Sequence, residues 1–149
     1  MTRRAQVSPA VIVLAIALQV GTGDPKAEGG GREIVVQLTG AAERPAPGDP
    51  DGTGTARVRI KADQGQLCYS LTVAAIEPAT AAHIHRAPPN AAGPIVIGLL
   101  PPTGGSSEAC MNIGKELAVE ILTKPADFYV NVHNATYPPG AIRGQLSLP

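Results

Sequence analysis

Residues 127–133 read D-F-Y-V-N-V-H, and the periodicity of that stretch decides how the rest of the chain is read. Phe128, Val130 and Val132 share one face of an extended strand, and Asp127, Tyr129, Asn131 and His133 the other, because successive strand side chains point to opposite sides. The alternation recurs on both sides of it. In residues 32–38 (R-E-I-V-V-Q-L) Ile34, Val36 and Leu38 share a face; in 55–61 (T-A-R-V-R-I-K) Ala56, Val58 and Ile60 oppose Arg57, Arg59 and Lys61. In 66–73 Leu67, Tyr69, Leu71 and Val73 oppose Gln66, Cys68, Ser70 and Thr72; in 141–148 Ile142, Leu146 and Leu148 oppose Arg143, Gln145 and Ser147. One apolar and one polar face per strand calls for antiparallel pairing around a shared core. Residues 94–100, P-I-V-I-G-L-L, are apolar throughout and read as a more deeply buried strand.

Turn signals at 45–54, 63–65, 88–93, 101–107 and 137–140 separate these runs, and the 17 Gly and 15 Pro that supply them argue against a helical bundle. Seven or so short strands at this spacing predict an all-β, antiparallel β-sandwich. Residues 115–125, K-E-L-A-V-E-I-L-T-K-P, fit strand alternation through Leu117, Val119 and Ile121, or helical spacing through Leu117, Ala118, Ile121 and Leu122. Glu116 early, Lys124 late and Pro125 as terminator favour one short helix.

The chain has three histidines: His83 and His85 flank Ile84 in A-A-H-I-H, and His133 ends the opening stretch. With Ile84, Val130 and Val132 turned to the core, His83, His85, Asn131 and His133 point the other way, joined by Arg143 and Gln145 from the last strand. If the segments are neighbours in one sheet, three imidazoles meet on an outer face open to a metal, a ligand or a partner. His83, His85 and His133 are then candidate ligands for Zn²⁺ or Cu²⁺, although nothing in the sequence demands a cofactor. Asn131, Arg143 and Gln145 are candidate ligand-binding groups, Arg143 offering a planar fork to an anion. Asn131, Gln145, Glu77 and Asp127 are candidate acceptors to orient the rings. The competing reading is structural: the histidines donate to backbone carbonyls and pin the sheet, Arg143 tethers a loop, and Asn131 bonds loop backbone.

Arg3 and Arg4 ahead of an apolar run at 10–20, with small residues at 21–23, read as an export signal over residues 1–23, or as an anchor if uncleaved. Residues 24–31 read as a flexible leader and 32–149 as the folded domain. Two cysteines in an exported chain predict a Cys68–Cys110 disulfide, the alternative being a mixed Cys/His metal site. A formal net charge of zero and the absence of a basic stripe give no support for nucleic acid. Serine-hydrolase and phosphate-loop contexts are missing as well.

From Cys68 to Leu146 the chain resembles the CHRD family, named after chordin and found also in secreted bacterial proteins. The resemblance rests on L-C-Y-S-L-T-V, A-T-A-A-H-I-H-R-A with G-P-I-V-I after it, P-A-D-F-Y-V-N-V-H-N, and Y-P-P-G-A-I-R-G-Q-L, in that order. Ala87-Pro88-Pro89 stands where the family pattern is richer in Gly. The resemblance implies a single-domain secreted member of the bacterial type with an immunoglobulin-like, superoxide-dismutase-like β-sandwich. It brings no established activity. The function expected is a non-enzymatic extracellular binding or structural module for an extracellular protein or cell-envelope ligand. The alternative is a small zinc- or copper-binding protein. The membrane enters only through an uncleaved N-terminal segment.

Overall fold

The computed structural model describes residues 30–148. The expected export signal and nearly all of the leader lie outside the described residues. The elements are β1 (Arg32–Thr39), β2 (Thr53–Lys61), β3 (Gln66–Ala74), β4 (Ala79–Arg86), β5 (Ile95–Leu99), β6 (Ser106–Asn112), α1 (Lys115–Thr123), β7 (Phe128–Asn134) and β8 (Ile142–Gln145). The eight strands pair antiparallel in the order β5-β4-β7-β8-β1-β2-β3-β6. β1 and β8 share a single residue pair, Thr39 with Arg143. That narrow junction divides the sheet into two four-stranded halves, β5-β4-β7-β8 and β1-β2-β3-β6. Their apolar faces together build the sandwich core.

The core is the set the alternation picks out. Ile34, Val58, Leu71, Ile84, Phe128, Val130 and Ile142 all have no exposed surface and belong to one cluster drawn from both halves. Burying each such side chain contributes about 1.5–3 kcal/mol, which is why a period of two fixes which way every strand faces. Tyr69 bridges the halves: it is core-facing on β3, and its hydroxyl accepts a hydrogen bond from Leu100 N at 2.7 Å, just beyond β5. Tyr69→Phe is expected to cost about 1 kcal/mol in urea unfolding, the net worth of one such bond. An unchanged midpoint would mean that water replaces the hydroxyl without loss.

Residues 115–123 form the helix. Ala118 and Ile121 are buried, whereas Val119, inward only in a strand reading, is 48 % exposed. Glu120 on its outer side pairs with Arg86 of β4 at 2.6 Å. Among the described residues no helix is long and apolar enough to cross a membrane.

One expectation is corrected, and one strand was not foreseen. The run P-I-V-I-G-L-L is not deeply buried: β5 is an edge strand paired only to β4, and Ile95 and Leu100 are 54 % and 57 % exposed. Strand order, not local apolarity, decides which run is central. Residues 106–112, S-S-E-A-C-M-N, carry too little apolar patterning to be read as a strand, yet they form β6 by pairing along β3. Within that pairing Cys68 lies directly opposite Cys110, and the two are joined in a disulfide.

Candidate metal centre

β7 is the strand that carries the site. It lies between β4 and β8, and the register sets His83 opposite Asn131, His85 opposite Tyr129, and Arg143 opposite Asn131. His133 sits one step diagonally from His83, opposite Ala81. All of these residues have the same parity, so the face opposite the core collects three imidazoles, a phenol, two amides and a guanidinium.

The rings converge. One nitrogen from each of His83, His85 and His133 lies within 4.8 Å of the others. His83 Nδ1 and His133 Nε2 are 3.1 Å apart. Their ring centroids are separated by 5.0 Å, those of His83 and His85 by 5.4 Å, and those of His85 and His133 by 6.3 Å. Backbone carbonyls set two of the tautomers. His85 Nδ1 donates to Gly93 O at 2.9 Å, and His133 Nδ1 donates to Pro138 O at 2.8 Å. Nε2 of each neutral ring is then a bare lone pair. The orienting acceptors are thus these two carbonyls. Glu77 instead accepts from Thr136 Oγ1, and Gln145 donates to Ala87 O and Ala126 O.

The outer face is not open, which corrects the solvated face that alternation implies. His85, Asn131 and Arg143 are 8 %, 2 % and 1 % exposed. The loop between β4 and β5 folds back over them because its carbonyls find donors there. Arg143 donates to Ala91 O at 2.8 Å, to Pro88 O at 3.0 Å and to Gln145 Oε1 at 3.0 Å. Gly93 sits where the loop touches down, its N–H donating to the Tyr129 hydroxyl at 3.2 Å. A Cβ at Gly93 would collide with the Arg86 carbonyl, so that contact needs glycine. Tyr129 holds the layer together: His85 stacks on it at 4.8 Å with nearly parallel planes, and the Arg143 guanidinium lies 3.4 Å from its ring centre.

A second cover comes from the segment after β1. Glu43 is 3 % exposed, and its carboxylate accepts a hydrogen bond from Asn131 Nδ2. Asn131 therefore bonds a buried side chain, not loop backbone. Gly140 closes the group from the other side, where a Cβ would lie 2.5 Å from both Asn131 Nδ2 and the Glu43 carboxyl. Burial raises the Glu43 pKa to about 7, against the pull of Arg143, Arg44 and Asn131. Burial, then the charges of His133 and His85, holds His83 below the usual imidazole value. His85 is also lowered, first by burial and further by His133 and Arg143, against the Gly93 carbonyl.

The structure thus brings His83, His85 and His133 to one spot, with Asn131, Arg143 and Gln145 beside them as braces of the covering loops. Glu43, Tyr129, Gly93 and Pro138 complete the surroundings. Tyr129 could have been found from its parity with His133. A lone Glu in a Pro-rich loop gives no such signal. A surface depression of about 590 Å³ lies elsewhere, beside the Cys68–Cys110 bridge on the other half. Its Arg57 and Arg59 are paired with Glu33, whereas the histidine face brings three imidazoles together.

A family model described as the CHRD domain matches residues 34–146. No curated protein and no solved structure gave a match.

Proposed function

This chain belongs to the CHRD-domain family, and from that premise we propose that it works outside the cytoplasm as a non-enzymatic binding or structural module. The observation that carries this reading is the Cys68–Cys110 disulfide, set between directly opposed residues of β3 and β6. Such bonds persist in oxidising compartments and are rare where thiols are kept reduced. The described residues contain no free cysteine. Residues 1–23 supply the export signal. Inside the domain, the large polar side chains of the histidine face hold loops in place: Arg143 and Gln145 tie down the β4–β5 loop, and Asn131 ties down the segment around Glu43. That use of polar groups suits a stiff scaffold presenting its loops to an extracellular protein or a cell-envelope ligand.

Expression of the full chain, with fractionation and thiol alkylation before and after reduction, tests the reading. The protein is expected in the envelope or medium fraction, shortened by residues 1–23, with both cysteines alkylated only after reduction. A version starting at Asp24 is expected to stay inside with free thiols. Recovery of the full-length chain in the cytoplasm with both thiols reactive would overturn the proposal.

A further inference from the structure

We propose that His83, His85 and His133 form a three-imidazole site for one transition-metal ion of the zinc(II) or copper(II) class, bound through His83 Nδ1, His85 Nε2 and His133 Nε2. The proposal is independent of where the protein resides.

The observation that points to a ligand is His85 Nε2. It is buried, on a side chain 8 % exposed, and has no hydrogen-bond partner. Its ring cannot turn to relieve this without giving up the Nδ1 bond to Gly93 O. Buried polar atoms in native proteins nearly always have a partner, and a metal ion is a partner that accepts a lone pair. His133 is oriented in the same way by Pro138 O. A backbone acceptor on the far nitrogen is how metal-ligating histidines are usually fixed.

Geometry agrees. Two nitrogens on a tetrahedral zinc, each at about 2.0–2.1 Å, are about 3.3–3.4 Å apart. His83 Nδ1 and His133 Nε2 already stand 3.1 Å from one another. The widest gap in the set, 4.8 Å, exceeds that ideal by about 1.4 Å, a swing of side chains on fixed strands. Without metal, a proton on His83 Nδ1 bridges to His133 Nε2. The ion takes that position, and His83 shifts to its Nε2–H tautomer, so no proton need leave the ring. His83 and His133 are only half-buried, which leaves the cluster reachable from outside and a coordination position for water.

The donor set selects the metal. Three neutral imidazoles without a carboxylate suit zinc or copper and not the hard, oxygen-seeking Ca²⁺ or Mg²⁺. The mixed Cys/His site has no thiolate to offer, since Cys68 and Cys110 are bonded to each other on the other half of the sandwich.

The chain has no other histidines, so untagged protein stripped with chelator gives a clean readout. Zn²⁺ and Cu²⁺ are each titrated by calorimetry and by melting, with Mg²⁺ and Ca²⁺ as controls. Copper-loaded protein is read by electron paramagnetic resonance. The expected result is one ion per chain, a raised melting temperature and nitrogen hyperfine structure from imidazoles. His83→Ala and His133→Ala, at half-buried positions, are each expected to weaken binding at least about tenfold while remaining folded without metal. A response to only one of the two metals supports the site and names its ion. Absence of any melting shift with either metal, equal binding of Mg²⁺, or unweakened binding in both variants that remain folded would overturn it. Should a variant unfold, the imidazole signal of wild-type copper protein decides alone.

Discussion

Arg143→Met is expected to destabilise the domain by about 3–5 kcal/mol, the largest effect of any single change on the polar face. The side chain is 1 % exposed and donates to Ala91 O, Pro88 O and Gln145 Oε1. Met keeps much of the volume and still lies on the Tyr129 ring, so little is lost by packing. What goes is a charged donor to two loop carbonyls, each such bond being worth about 1.5–3 kcal/mol. The positive charge that steadies Glu43 goes with it. Arg143→Lys is expected to recover less than half, because an ammonium cannot serve both carbonyls and the amide in a planar fork while stacked on a phenol. Urea unfolding gives the energies, and hydrogen exchange locates the damage, with faster exchange expected first in residues 87–94. A loss below about 1 kcal/mol would mean that the β4–β5 loop is held chiefly by Gly93 and Gln145.

The second large effect is a pH dependence centred on Glu43. Its folded pKa, about 7, stands above the ordinary 4.5. Below the ordinary value the carboxyl is protonated in both states and its contribution to stability is complete. Between about 4.5 and 7 the unfolded chain releases the proton while the folded one keeps it, so stability falls as pH rises, by about 1.4 kcal/mol per unit. Above 7 both states are ionised and the loss, on the order of 3 kcal/mol, is complete. Protonated Glu43 has a donor to offer Asn131 Oδ1, which is buried without a partner. Glu43→Gln keeps both an acceptor for Asn131 Nδ2 and a donor for Asn131 Oδ1, without charge. The variant is therefore expected to match wild type near pH 4 and to exceed it by about 3 kcal/mol near pH 8.5. His83 and His85 titrate with the opposite sign: their lowered values mean stability lost as pH falls below the imidazole range. Those terms are common to both proteins, so the difference between the two unfolding curves reports Glu43 by itself. A difference that stays constant with pH would show that folding leaves the Glu43 pKa at its ordinary value.

Much of the site is legible in the sequence because a strand's period is two. Once Phe128, Val130 and Val132 face the core, His133 and Asn131 must face away. The A-A-H-I-H stretch obeys the same rule, so pairing β4 with β7 was enough to gather the three rings. The helix at 115–123 is favoured in the sequence by Glu116, Lys124 and Pro125, since the apolar spacing fits a strand as well; buried Ala118 and exposed Val119 decide it in the structure. The edge position of β5 is not legible, since apolarity reports a tendency to be buried and not the number of neighbours a strand will have. Nor is β6, which is held by backbone pairing to β3 and the bridge to Cys68 more than by apolar side chains.

By itself, then, the sequence determined the inward and outward residues of most strands and which of them share a face with the histidines, and it favoured the helix and the disulfide over a strand and a mixed Cys/His site. Tertiary structure alone decided that this patch lies under a roof. Local periodicity encodes a side chain's direction but not what the chain does many residues later. The return of Pro88, Ala91 and Gly93 onto Arg143, Tyr129 and His85, and the arrival of Glu43 at Asn131, are hydrogen bonds between residues 8 to 88 positions apart that the strand arrangement brings together. They turn a solvated face into a low-dielectric one, and with it change the protonation of Glu43 and leave His85 Nε2 bare.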